Sequence, residues 1–278
     1  MTAVQMVDTE LRTLYRLNRS VPDAEGYRTI LDLERKHFVE RAAEIEANAP
    51  HFASRGDLVK ALGARLAEEE ANPSESDLFI AEHANLAQFR EIVSQFAVDG
   101  MIESQSLLAV IPRLPARSRM AVFRVLIDEF GCGNDEQEHS QLYTGLLAEL
   151  GLPTDLEHHV ANAEDGVLAF VGLFYWLAAR APKPDYFLGA YSYFESSVLY
   201  AFRSFAAASK RLGIAHDRYY TEHLYIDAFH SKQMQAAIRD LDVERGVDLR
   251  KVWTGVELTS AVVAEAVDAV VARARRVG

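Results

Sequence analysis

The sequence predicts an all-α protein, a helical bundle with accessory N-terminal helices. Three observations predict it. Apolar residues recur three and four apart along nearly the whole chain, the spacing of a helix that buries one face. The 15 glycines and 8 prolines fall mainly between these periodic stretches. No stretch shows the strict alternation of a half-buried strand. With 278 residues, 49% of them apolar, the chain can bury a sizeable core. One helical domain is expected over 1–278, with accessory helices at 1–75, a central core at 76–240 and a C-terminal packing helix within 241–278.

The elements follow in order. A first helix is expected at about 4–17. Val21-Pro22-Asp23 opens a second at about 24–48, rich in charges at helical spacing, and Pro50 stops it. Ser54 caps a third at about 55–70. Asn72-Pro73-Ser74 is a turn, and Asp77 leads into a long helix carrying Leu86, Phe89, Ile92 and Phe96. Gly100 interrupts it, and helix is expected to resume at about 101–111. Pro112 and Pro115 frame a connection to a helix at about 116–130. Gly131-Cys132-Gly133-Asn134 is a loop, followed by helix at 135–150 and a stop at Gly151-Leu152-Pro153. Three long helices are expected at about 155–180, 184–211 and 215–240. The last, about 249–276, has an Ala/Val face that reads as packing surface.

Composition excludes several functions. The net charge of -12 leaves no basic stripe for nucleic acid or an anionic membrane surface. Cys132 stands alone, which rules out an intrachain disulfide and cysteine-based zinc sites. The N-terminus lacks the basic start and apolar core of a signal peptide. The most apolar stretch, Gly166 to Ala179, is shorter than the roughly 20 residues of a membrane span and reads as a buried helix. A cytoplasmic protein is expected.

Chemistry concentrates in four segments. His223, Asp227 and His230 lie at i, i+4 and i+7, so on a helix they point within about 60° of one another. Neutral imidazole and carboxylate together suit iron or manganese. Leu224, Ile226, Ala228 and Phe229 surround them, and buried polar groups in such company need a partner. A solvated His–Asp pair is the plainer alternative. Glu129 ends one helix and His139 begins another across a glycine-containing break; separately they would be a helix-end acid and a surface histidine. Glu195 is a lone glutamate among aromatic residues, with an ion pair to Arg203 or Lys210 as its ordinary explanation. Glu103 alone would be a solvent-exposed acid. Together these residues offer three histidines and four carboxylates, a ligand set for two metal ions in a bundle core. Tyr193, Tyr219, Tyr220 and Tyr225 are candidates to line the pocket or to support the ligands.

The pattern resembles the haem-oxygenase-like di-iron oxidases and oxygenases, the iron-containing redox enzyme family. Asp128-Glu-Phe-Gly-Cys-Gly133, then His139-Ser-Gln-Leu-Tyr143, then Leu150-Gly-Leu152 are similar to one of its core helix pairs, and His223-x3-Asp227-x2-His230 to its last ligand helix. The resemblance covers about 85–235. It implies two Fe(II) ions sharing Glu103, His139, Glu195, His223, Asp227 and His230 across the metal-binding core, with O2 as co-substrate. Glu129 would be the additional carboxylate that N-oxygenating members carry. Glu136, within one turn of His139, competes for that place.

The expected function is O2-dependent N-oxygenation of a small amine or amino-acid-derived metabolite in a biosynthetic pathway. Oxidative desaturation, decarboxylation or C–C cleavage of an amino or fatty acid is the alternative on the same fold. Electrons must come from an external donor, because there is no G-x-G-x-x-G dinucleotide motif. A ferritin-like centre would pair Glu136 and His139 with Asp227 and His230, leaving His223 unused. A haem enzyme is disfavoured, since a helical fold does not itself imply haem. From another class come a metal-free helical partner protein and a hydrolase using Cys132 as nucleophile. A homodimer through the N-terminal helices and the last helix is a further expectation.

Overall fold

A computed structural model describes residues 8–277. Every regular element among them is helical. Of the first expected helix, residues 4–7 lie outside the described part; α1 is Glu10–Asn18. The stretch at 24–48 is α2 (Ala24–Glu34) and α3 (Glu40–Asn48), joined without a break by a π-helical turn at Arg35–Val39. Ser54 accepts from the Asp57 amide and starts α4, Arg55–Ala71.

The long helix expected from Asp77 is two pieces. α5 (Glu75–Leu78) runs into a π turn at Phe79–His83, and α6 (Leu86–Gly100) starts afresh from Asn85. The side chains of Asn85 and Gln88 cap each other's backbone amides there, a reciprocal start signal present in the sequence. Residues 101–111 are not α-helix: a turn at 101–104 leads into a 3-10 segment, Gln105–Arg113. α7 is Ala116–Glu129. α8 begins only at His139 and runs to Glu149. The stretch at 155–180 divides into α9 (Leu156–Asn162) and α10 (Asp165–Ala179), where the Gln95 side chain accepts from the freed Glu164 amide. α11 (Pro184–Leu212), α12 (Arg218–Arg245) and α13 (Leu249–Ala274) complete the chain.

α11 is the centre of the bundle. α12 lies antiparallel along it, as the contacts of Ser196 with Ser231 and of Phe202 with Tyr219 require. α13 crosses α11 backbone to backbone. A Cβ on Gly189 would fall 1.8 Å from the Val252 carbonyl oxygen, and one on Gly255 would fall 2.0 Å from that of Tyr186. Only glycine allows this approach. The Ala/Val face of α13, with Val262, Ala266 and Val270, is thereby buried within the chain. It is not free for a second copy, because α10 and α11 already cover it.

α10 is apolar almost all round, with ten of its fifteen residues buried, which places it inside the bundle rather than across a membrane. None of the described helices is long and apolar enough to cross one. Arg113 donates to the carbonyls of Leu177 and Ala178 and so satisfies the C-terminus of α10. The N-terminal helices are tied on by arginines. Arg12 donates to the carbonyls of Val160 and Ala163, Arg180 pairs with buried Glu34, and Arg65 reaches Glu257 and Ser260 on α13.

Candidate metal centre

Four helices and one turn bring the chemistry-bearing residues together. Glu129 is the last residue of α7. Gly131 follows with φ +60, and a Cβ there would lie 2.6 Å from the Glu138 backbone nitrogen. The left-handed glycine folds the chain back on itself, so that His139, first residue of α8, returns to Glu129. Glu195 comes from the middle of α11. His223, Asp227 and His230 come from α12. Glu103 is carried by the turn after α6, beside Ser104, a non-glycine residue with φ 65.

All seven are buried or nearly so. Asp227 and His230 are 0% exposed, and the Glu103 side chain keeps 11%. They form two groups of four, each with its ligand atoms within 4.8 Å of one another. Glu103, Glu129, His139 and His223 make one; Glu129, Glu195, Asp227 and His230 make the other. Glu129 belongs to both. Its Oε2 is 2.8 Å from His139 Nδ1 and its Oε1 is 3.3 Å from His230 Nδ1. His223 Nε2 lies 3.2 Å from Glu103 Oε1. His230 Nδ1 also lies 3.1 Å from both Glu195 Oε2 and Asp227 Oδ1.

These contacts do not amount to a satisfied hydrogen-bond network. Glu103 Oε2, both Asp227 oxygens, His139 Nδ1 and His230 Nε2 are buried without a hydrogen-bond partner. His139 Nδ1 is the clearest case, because the 2.8 Å contact to Glu129 is off the direction in which the ring N–H would point. Leaving such groups unpaired costs about 1–3 kcal/mol each, more for charges. Apart from His230 Nε2, which faces Asp128, these atoms converge on common points without bonding one another, which is what a cation needs. His223 Nδ1 donates to the Tyr219 carbonyl at 2.6 Å, which fixes its tautomer and turns a bare Nε2 inward.

Electrostatics agree. Burial works against ionising Glu129, but the attraction of His139, His223 and His230 outweighs it and holds the carboxyl at about 2. Burial raises Glu195 to about 7 and also raises Asp227. His230 overcomes its burial through Asp227 and Glu195 and rises to about 11; His139 and His223 rise too, the latter strongly. Without a metal the pocket therefore gathers protons. Four carboxylates carry four negative charges, and two divalent ions would balance them in the protons' place. The nitrogen and oxygen donors suit iron, so the residues fit the group.

The seven residues expected from the sequence thus meet, and Glu136 does not join them. It is exposed on the loop before α8, which removes the ferritin-like pairing as well. Of the four tyrosines, Tyr219 and Tyr220 line the aromatic cavity behind the centre, the Tyr219 carbonyl also holding His223; Tyr193 donates to Glu69 away from the site, and Tyr225 is 81% exposed. Cys132 is exposed, and its thiol donates to Asp128 Oδ1 at 3.4 Å. That bond raises the thiol pKa, the opposite of what a thiolate nucleophile requires.

Three residues were not singled out by sequence reasoning. Asp128 Oδ2 lies 3.4 Å from His230 Nε2, the position of an outer carboxylate that orients a ligating imidazole. Tyr191, fully buried with an unpartnered hydroxyl, lines a small cavity of about 30 Å³ over the carboxylates. Asp99, one helical turn before Glu103, lines this cavity and a larger aromatic one of about 80 Å³ behind it. Burial, with repulsion from Glu103 and Glu129, raises its pKa well above the ordinary carboxylate range.

A model of the iron-containing redox enzyme family matches residues 90–263, a span that holds all seven. The chain belongs to the iron-containing redox enzyme family. It is accordingly an oxidoreductase with the haem-oxygenase-like fold. The chain is similar to the nitrosourea synthase of Streptomyces achromogenes subsp. streptozoticus, 27% identical over 146 residues. Those residues are 52% of this chain and 31% of that protein, so the match spans less than a third of the relative. Among solved structures it is similar to a domain of unknown function with a heme oxygenase-like fold from Shewanella denitrificans OS217. The TM-score is 0.57 at 14% identity, covering 81% of this chain and 94% of the other. That likeness concerns the fold alone.

Proposed function

We propose that this member of the iron-containing redox enzyme family is a non-haem di-iron oxygenase that uses O2 to N-oxygenate a small amine or amino-acid-derived metabolite. One observation carries the reading: two four-residue donor groups that share Glu129. One ion would be held by Glu103, Glu129, His139 and His223, the other by Glu129, Glu195, Asp227 and His230. Two ferrous ions so placed would supply the electrons and open coordination positions for O2 activation. The chain's own contribution is to fix the donors, to bury them from water and to present substrate through the adjoining cavities. Asp128 and the Tyr219 carbonyl would hold His230 and His223 in orientation. An external electron donor completes the turnover.

Two features support nitrogen as the atom oxidised. Neither cavity beside the centre is lined by a lysine or arginine, so a substrate carboxylate would have no counter-charge there. The relative matched over about half of this chain is named for a product with nitrogen-to-nitrogen connectivity. The test is an anaerobic Fe(II) titration, expected to saturate at two ions per chain, followed by O2 and a panel of amines. Label from 18O2 retained on substrate nitrogen supports the proposal. An alkene or aldehyde with no N–O bond supports oxidative desaturation or C–C cleavage instead.

A further inference from the structure

From the placement of Asp99 we infer that the aromatic chamber behind the metal centre is the substrate pocket, that it selects an organic cation (a primary amine, amidine or guanidine), and that Asp99 is the residue that selects it. This rests on the proposed function and names its substrate class.

The chamber adjoins the cavity over the carboxylates: Asp99, Phe170, Phe194, Val198 and Phe202 line both. Apart from Ser197 its other walls are aromatic and aliphatic, with Phe96, Tyr143, Phe205 and Tyr220 among them. Asp99 is the one charged side chain on them. Its carboxylate makes no hydrogen bond or ion pair with any described residue, although nearby acids of the same helical layer are engaged: Glu91 accepts from Arg273 and Gln95. Asp99 is partly exposed and lines both cavities. A carboxylate at the neck of an aromatic chamber offers a charge partner to a cation and ring faces to its flanks.

Charge balance points the same way. Two divalent ions would offset the four ligand carboxylates Glu103, Glu129, Glu195 and Asp227 and leave Asp99 outside that balance. Asp99 itself has no lysine or arginine beside it on these walls, so a cation entering the chamber supplies the charge partner that favours its ionised form. A cation resting there has its nitrogen between Asp99 and the centre and its apolar body among the rings. A carboxylate in the same place meets like charge and no basic residue. Asp99 is thus a specificity-determining residue.

The experiment compares three molecules of one shape: benzylamine, benzyl alcohol and benzoate, titrated calorimetrically into anaerobic iron-loaded protein. The amine is expected to bind at least tenfold more tightly than either of the others. Asp99→Asn is expected to abolish that preference while keeping iron stoichiometry and melting temperature. Ala201→Leu, which narrows the chamber without touching Asp99, is expected to weaken benzylamine but not methylamine. Equal binding of the three probes overturns the inference. So does an amine preference that survives Asp99→Asn, since it would come from the metal alone. Two irons per chain without amine preference defeats this inference and leaves the di-iron reading standing. Fewer than two irons defeats the di-iron reading, while the effect of Asp99→Asn on the amine preference still decides the pocket.

Discussion

Glu129 is the side chain on which both donor groups depend. Glu129→Gln keeps its shape and removes its charge. Ferrous titration of that variant is expected to give one tight ion per chain instead of two; two tight ions would show that the shared carboxylate is dispensable. Asp128 acts one contact further out. Asp128→Asn is expected to weaken metal affinity about 10- to 100-fold, the usual effect of removing a carboxylate behind a ligating histidine. Cys132→Ser is expected to leave affinity unchanged. A loss in Cys132→Ser as large as in Asp128→Asn would mean that the thiol, not the carboxylate, orients the ring. At this scale the sequence was legible where one helix sets the geometry: His223, Asp227 and His230 are fixed by a single period. Tyr191 was harder to find because Tyr193, two residues on, points about 200° away around the same helix, and nothing local tells which face meets the site. Asp128 was hidden for a related reason. Adjacent residues on a helix diverge by about 100°, and both reach His230 only because α12 passes the very end of α7.

Two glycine contacts decide how the elements sit. Gly131→Ala places a Cβ in a left-handed conformation and against the backbone of Gln137 and Glu138. A loss of about 1–3 kcal/mol is expected, read by urea unfolding, together with weaker metal binding as His139 is displaced from Glu129. Gly189→Ala would drive a methyl into the Val252 carbonyl and separate α11 from α13. Overpacking of this kind costs about 1–3 kcal/mol and sometimes more. Gly63→Ala, on α4 with nothing within 4 Å, is the contrasting case and is expected to be neutral or stabilising by up to about 1 kcal/mol. Equal effects at all three positions would mean that the close approaches are not what glycine serves. Helix existence was legible from periodicity except at 101–111, and helix ends less so. The expected helix at 101–111 shows the reason. Gly100 lies directly against the Tyr143 ring, where a Cβ would come within 2.4 Å. The stop at Gly100 was legible, but the left-handed Ser104 that keeps the α-helix from resuming was not, because a serine gives no local sign of a positive φ.

For the molecule as a whole, metal and protons compete for one buried set of acids. Glu195, raised by burial to about 7, and His230, raised by its carboxylate neighbours to about 11, hold protons more tightly folded than unfolded. Their stabilisation is complete below their ordinary values of 4.5 and 6.5, and is lost as pH climbs through about 7 and then about 11. Glu129 works in the opposite sense, but only below its ordinary 4.5. Chelator-treated protein is therefore expected to lose melting temperature steadily between about pH 5 and pH 9, while iron-loaded protein holds its own. Parallel curves for the two forms would contradict this. At neutral pH and a hundredfold excess of iron over its dissociation constant, loading is expected to add about 2.7 kcal/mol for each ion bound.

Glu103 stands apart from the other six residues. Six ride on helical cylinders; it alone hangs from a turn whose next residue, Ser104, is left-handed. In hydrogen–deuterium exchange, the amides of residues 101–104 should slow most on iron binding, and those around His223 to His230 least. A metal arriving at this protein would meet a finished wall on one side and tighten a short loop on the other.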